Sequence, residues 1–270
     1  MVVNMKFSVL ASGSKGNCTY IQAGSTQLVI DCGMTKRYLT QSFHHINVDL
    51  DKIDALLITH DHSDHIAQIK VFKEVRTVIS PVLLDSREDS IVWMPYINHK
   101  INDVEIMPIV LSHDCDMIYG YIIQHNGEKL VYITDTGYIK SKDFNLLRDA
   151  DYYIIESNHD IDLLMKSSRP YPTKQRILSD TGHLSNEDSS YIISQLVTSR
   201  TKEIVLAHLS LEANLPSLAL QCVYEALEKE GIQSSNYKIR CAYQTEILQG
   251  GLDYEEITNY EPNLSIAHLE

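Results

Sequence analysis

Short apolar runs rich in Val, Ile and Tyr, each bounded by turn residues, set the rhythm of this chain. They predict strands over 6–11, 18–22, 27–31, 55–59, 77–80, 105–111, 119–124, 129–134, 152–156, 203–207, 238–242 and 245–249. Residues 56–58, 154–155 and 204–206 are continuously apolar rather than alternating, the pattern of strands covered on both faces. Helical spacing marks 216–230, with Asn214 as cap, Pro216 in the first turn and Gly231 at the end. A second helix is predicted over 186–197, with Ser185 as cap and acids in its first turn. Shorter helices are expected over 35–43, 67–73 and 142–148. Strands come in blocks, with helices between and after them. That order predicts an α/β protein in which two sheets pack face to face with helices outside. Residues 1–250 read as one domain, and the weakly periodic, acidic 251–270 as a C-terminal tail.

No apolar run approaches the length of a membrane span. Met1 to Lys6 lacks the apolar region and cleavage site of a secretory signal, so a cytoplasmic protein is expected. The five cysteines are widely spaced with no C-x-x-C pair, which argues against both a disulfide framework and a thiolate metal site. A formal net charge of −13 excludes a protein that coats nucleic acid indiscriminately, but not a nuclease whose bound cations offset the deficit locally.

The chemistry concentrates in His60-Asp61-His62-Ser63-Asp64-His65, directly after the apolar run 53–59. Three imidazoles and two carboxylates at the mouth of a buried strand have little structural purpose as a solvated loop. Together they suit zinc, manganese or iron, and more than one ion. Residues two apart in an extended loop share a face, so His60 and His62 can grip one ion. Asp64 and His65, at the turn into a helix, can face a neighbour. Four other strand ends repeat the pattern: Asp31, His113, Asp135 and His208 each close an apolar run. Singly each reads as a turn residue. Together they are what a dinuclear site at the edge of a β-sandwich needs.

This set resembles the metallo-β-lactamase superfamily, an αβ/βα four-layer sandwich, over residues 5–250. Leu10 to Cys18, Glu156-Ser157-Asn158-His159-Asp160, Gly182-His183-Leu184-Ser185-Asn186 and Ala207-His208-Leu209-Ser210 are similar to its YycJ/WalJ branch, a bacterial group associated with DNA exonuclease activity. The resemblance implies that His60, His62 and His113 hold one metal, that Asp64, His65 and His208 hold the second, and that Asp135 bridges them. Asp31 then supports the ligand loop from behind. It implies a hydroxide activated by two divalent ions, zinc or manganese with iron as a further option, that hydrolyses phosphodiesters. Asp64 or Asp135 steers it, and His183 assists at the phosphate or the leaving group. The secreted lactamases of the superfamily generally lack a histidine at the position of His65. Between Asp135 and His208 there is no room for a long nuclease insert.

Two segments favour phosphodiesters, and the resemblance to the exonuclease branch implies DNA ends as the substrate. Lys166, Arg169, Lys174 and Arg176 surround Tyr171 without an acid among them, a composition that can track a backbone and stack a base. The alternative is a solvated loop. Gly182 to Asn186 opens a helix whose amides can receive a phosphate with help from His183 or Ser185, although Ser185 also reads as a plain cap. Asn17, in the small polar turn 12–17, and His159 are further candidate substrate contacts. His44, His45, His99, His125 and His268 read as surface or satisfied core residues. The expected function is a metal-dependent 5′–3′ DNA exonuclease. A hydrolase of small esters, thioesters, lactones or cyclic phosphodiesters is the alternative in the same class, and a metal-stabilised scaffold the alternative in another.

Overall fold

The computed structural model describes residues 4–251. Thirteen strands form: β1 (Lys6–Ala11), β2 (Cys18–Ala23), β3 (Thr26–Ile30), β4 (Ala55–Leu57), β5 (Thr77–Ile79), β6 (His99–Ile101), β7 (Val104–Val110), β8 (Tyr119–His125), β9 (Glu128–Ile133), β10 (Tyr152–Glu156), β11 (Glu203–Ala207), β12 (Lys238–Cys241) and β13 (Leu248–Gly250). One sheet has the order β13-β1-β2-β3-β4-β5, the other β12-β11-β10-β9-β8-β7-β6. The helices are α1 (Lys36–His45), α2 (Ser63–Ile66), α3 (Phe144–Leu147), α4 (Ile161–Lys166), α5 (Tyr171–Ile177), α6 (Asn186–Leu196) and α7 (Pro216–Lys229).

Three apolar layers hold these elements. Between the sheets, Phe7, Ile21 and Leu28 of the first meet Tyr121, Ile123 and Ile154 of the second. On the outer face of the first sheet, Leu39 and Phe43 of α1 cover Val29 and Leu56. On the outer face of the second, Ile193 and Leu196 of α6 and Val223 and Leu227 of α7 cover Tyr153 and Ile204. Burying each such side chain contributes about 1.5–3 kcal/mol. The continuously apolar β4, β10 and β11 are buried along their whole length because both of their faces are covered. Helix, sheet, sheet, helix is therefore the layer order.

Strand direction gathers the site. β3 and β4 run parallel, and β1 runs the same way because both β1 and β3 are antiparallel to β2. In the second sheet β9, β10, β11 and β12 are mutually parallel. β7 shares their direction, since β7 and β9 each pair antiparallel with β8. The residues that close these strands consequently emerge along one edge. Carboxyl ends of parallel strands are where α/β sheets place ligands.

Several local expectations are corrected. The helix expected over 67–73 is a 3-10 turn, Ile69–Phe72, and the preceding helix α2 starts inside the histidine motif. The expected 142–148 helix divides into a 3-10 turn, Ser141–Asp143, and the single turn α3. Asn214 does not cap α7. Leu215 occupies that position, and Asn214 instead accepts from the Leu215 amide and from Asn186. The basic segment runs from Lys166, the last residue of α4, through a short loop at 167–170 into α5, as a loop feeding a helix. Strand β6 was not anticipated, because its three residues carry almost no apolar signal. The tail from 252 onward and His268 lie outside the described residues. Among the described residues no helix is long and apolar enough to cross a membrane.

Candidate metal centre

The histidine motif begins where β4 ends. His60 and His62 face each other with ring centroids 4.5 Å apart, and both lie 5.2 Å from the ring of His113 at the end of β7. The ligating atoms of these three residues all fall within 4.8 Å of one another. A second group, Asp135, Glu156, His183 and His208, converges to the same degree. Asp64 and His65 sit on α2 between the two groups. His65 Nε2 is 3.6 Å from Asp64 Oδ2 and 3.3 Å from Asp135 Oδ2.

The backbone is strained where it delivers these groups. Asp31, Asp135 and His208 have φ of 60°, 55° and 56°. L residues rarely adopt that left-handed region, and they keep it only where surrounding contacts enforce it. Gly33 admits the ligand loop by having no side chain. A Cβ there would lie 1.5 Å from the carbonyl oxygen of Asp64. Into that space pack the hydrogen bonds Asn17 N–H to Asp64 O (2.9 Å) and Cys32 N–H to His65 O (2.7 Å).

Acceptors behind the rings fix their tautomers. Asp31 accepts from the Thr59 amide and hydroxyl, each at 2.8 Å, and from Nδ1 of His65, also at 2.8 Å. Because the Thr59 hydroxyl spends its proton on Asp31, it accepts from Nδ1 of His60 at 3.1 Å. His113 Nδ1 donates to the carbonyl of Gly182 at 3.2 Å. Glu156 Oε1 accepts from Nδ1 of both His183 (2.8 Å) and His208 (2.9 Å), and Oε2 from the amides of Thr136 and Leu184. These bonds commit Nδ1 on each of the five imidazoles and leave Nε2 as the opposite face of the ring, which on His65 meets Asn17.

Charge reinforces the arrangement. Burial opposes a charge on Glu156, but His183 and His208 outweigh it and hold the carboxyl down at about 2. Burial also works against a charged His208, yet Asp135 and Glu156 push that ring up to about 9. Burial, reinforced by the neighbouring histidines, outweighs the pull of Asp135 on His60 and keeps that ring neutral far below the usual histidine range.

Nε2 of His60, Nε2 of His208 and Oδ2 of Asp135 are buried and make no hydrogen bond within the protein. Buried polar atoms are nearly always partnered. Cations held by the two groups would satisfy these atoms, and imidazole with carboxylate is the donor set that divalent metals take. The residues present therefore fit bound divalent metal.

Glu156, which carries no role by sequence pattern alone, stands in the second group. The available signal was a carboxylate closing an apolar strand, as Asp31 and Asp135 are placed. The substrate candidates fare unevenly. Asn17 is buried, holds the Gly13 amide and donates to Nε2 of His65 at 3.0 Å, so it faces the imidazole. Ser185 caps α6, accepting from the Asp188 amide and donating to the Asp188 carboxylate. The amides expected to receive a phosphate are spent. His183 donates to Ile177 O, Leu184 to Glu156 and Asn186 to His159 O. The basic segment is largely neutralised too. Lys174 is buried and caps the carbonyls of Met165 and Ser167, Arg169 pairs with Glu212, and Arg176 pairs with Asp114. Lys166 stays exposed near Asp162, and Tyr171 is exposed on α5. His159 is buried with neither ring nitrogen hydrogen-bonded. Cys115 is no reactive thiol, since burial pushes it up to about 12.

Residues 26–209 match the family model described as the beta-lactamase superfamily domain. The chain is 32% identical over 244 residues to the exodeoxyribonuclease YycJ of Bacillus anthracis, covering 85% of this chain and 91% of that one. It is 35% identical over 232 residues to the exodeoxyribonuclease WalJ of Streptococcus pneumoniae, covering 80% and 86%. Among solved structures, the metallo-β-lactamase fold protein YhfI of Bacillus subtilis superposes with a TM-score of 0.69 at 18% identity, over 92% of this chain and all of that one. The two facing sheets, the layers outside them and these matches agree: the chain belongs to the metallo-β-lactamase superfamily and, within it, to the family of the YycJ and WalJ proteins.

Proposed function

We propose that this protein is a metal-dependent phosphodiesterase that degrades DNA from an end in the 5′–3′ direction. The single observation that carries the reading is the convergence of two ligand groups, His60, His62 and His113 in one and Asp135, Glu156, His183 and His208 in the other, with Nε2 of His65 3.3 Å from Asp135. The names of the YycJ and WalJ relatives supply the substrate class. His60, His62 and His113 would hold one ion, Asp64, His65 and His208 the other, and Asp135 both. A nitrogen-rich set suits zinc, and the carboxylates admit manganese or iron. Two such ions, when bound, supply positive charge against the phosphoryl oxygens and acidify a water enough for it to serve as nucleophile near neutral pH.

The chain's own groups do the rest. Asp64, partly exposed, orients that water, and Asp135 keeps the two halves of the site in register. His183 is the exposed edge of the second group, with 14% of its side chain accessible. Its Nδ1 is committed to Glu156, so Nε2 is the atom that meets the phosphate or returns a proton to the leaving oxygen.

The test is elemental analysis of the purified protein, followed by assay of the metal-stripped and reconstituted enzyme on single and double strands labelled at either end. Loss of label from the 5′ end as mononucleotides, dependent on metal and abolished in Asp64→Ala, is the expected result. Cleavage by Asp64→Ala at the wild-type rate, or turnover of thioesters and lactones with neither strand cut, overturns the assignment.

A further inference from the structure

We infer that the incoming strand is held by a basic wall on the first-sheet side of the centre, formed by Lys15, Lys36 and Arg37 with Tyr243, and not by the basic segment 166–176. This inference rests on the nucleic-acid reading given above and names the surface that serves it.

The segment rich in cations by sequence has lost most of its charge to partners. Arg169, Lys174 and Arg176 are each bound to protein oxygens. Lys15, Lys36 and Arg37 are exposed, and among the described residues their side chains pair with no acid. In a chain of net charge −13, three unpaired cations on a turn and the adjoining start of α1 are a local exception.

Backbone contacts put these cations beside the chemistry. Lys15 lies two residues before Asn17, whose amide N–H bonds the carbonyl of Asp64 and whose side chain touches His65. Lys36 and Arg37 open α1 just after Gly33, whose amide bonds the carbonyl of Asn17. Gly16 packs directly on Gly33 and Met34, where a Cβ would meet the Met34 nitrogen at 2.5 Å. The turn 12–17 and the start of α1 thus form one continuous rim on the ligand loop. Tyr243 joins this rim. Its carbonyl accepts from the Ser12 amide, its neighbour Gln244 binds the Lys15 amide, and the residue is 44% exposed.

Cations in register with an exposed aromatic ring are the chemistry that grips a single strand, phosphates on the charges and a base on the ring. The aromatic member distinguishes this surface from one that only attracts anions.

The test uses the full chain, metal-loaded, and separates binding from cleavage. Equilibrium binding of a fluorescein-labelled oligodeoxythymidine is measured against salt for wild type, the triple variant K15A/K36A/R37A, and Y243A. Lys73, Arg76 and Lys100, remote from the rim, are changed together to Ala as the control. The expected result is a loss of tenfold or more in the triple variant. The slope of log K against log salt should fall by about 2 for three cations on a single strand. Y243A should lose about tenfold with its salt slope unchanged. Turnover of bis-p-nitrophenyl phosphate should stay at the wild-type level in every variant, showing the centre intact. Strand affinity and salt slope unchanged in the triple variant, or equal losses in the control, overturn the inference. Tight strand binding without cleavage by the wild type leaves the wall standing and removes the nuclease reading instead.

Discussion

Nδ1 of His208 lies 2.9 Å from Oε1 of Glu156, and the opposite nitrogen of the same ring is buried without a partner. The carboxylate thereby aims an imidazole lone pair. Glu156→Gln keeps the size of the side chain but surrenders the anion that both His183 and His208 face. Groups that orient metal ligands in this way are typically worth about 10–100-fold in metal affinity. Calorimetric titration of metal-stripped Glu156→Gln should show a loss in that range, and wild-type affinity would remove Glu156 from the aiming role.

Asp31 combines a left-handed backbone with three accepted hydrogen bonds. Asn tolerates the backbone but faces the proton on His65 Nδ1 with half the acceptor capacity and no charge. Asp31→Asn should fold and bind metal about 10–100-fold more weakly. Asp31→Val adds strain at a β-branched residue and leaves Thr59 unpartnered, so its unfolding free energy should fall by several kcal/mol and its denaturant midpoint with it. Equal midpoints for the two variants would contradict this account.

Gly33→Ala places a methyl group where the Asp64 carbonyl already stands. The loop has to move, at a cost of about 1–3 kcal/mol. Metal content after dialysis should drop alongside the melting temperature, because the same loop carries Asp64 and His65. A destabilised variant with full metal content would show that the loop's position is not what the glycine protects.

His159 carries a pH dependence with a definite sign. Burial lowers its ring to about 4, against about 6.5 in an unfolded chain. The unfolded state binds the extra proton first, so stability is lost as the pH falls from about 6.5 towards 4, by about 3 kcal/mol in total. Unfolding of metal-stripped protein followed between pH 7 and 4 should show this loss, and His159→Gln should flatten it. A parallel curve for the variant would mean the ring titrates normally.

Metal should stabilise the fold outright. Ligand that binds only the native state contributes about 2.7 kcal/mol at a hundredfold excess over its dissociation constant. Restoring zinc or manganese to chelator-treated protein should raise the melting temperature in a concentration-dependent way, and magnesium, which prefers oxygen ligands, should do so less. Identical melting with and without zinc would contradict the fit of the buried, unpartnered nitrogens to a cation.

Much was legible in the order of residues. Continuously apolar strands, the capped helix after Ser185 and the hexapeptide from His60 to His65 are local signals, carried by side-chain period and by crowding of like chemistry. Asp31, His113, Asp135 and His208 were legible as strand ends, because a polar residue that stops a buried strand is visible in a linear pattern. Glu156 ends a strand in the same way, but its role depends on two histidines 27 and 52 positions away. Lys174, Arg169 and Arg176 read as a basic surface because their partners, two carbonyls, Glu212 and Asp114, have no fixed offset in sequence.

The sequence by itself determined which strands are buried and which strand ends offer candidate metal ligands, since composition and periodicity are properties of the chain. Tertiary structure decided which nitrogen of each imidazole is offered, which amides at the start of α6 are already spent, and on which wall the unpaired cations stand. Those properties depend on what packs behind or beside a group, and strand direction across two sheets, not distance along the chain, determines that.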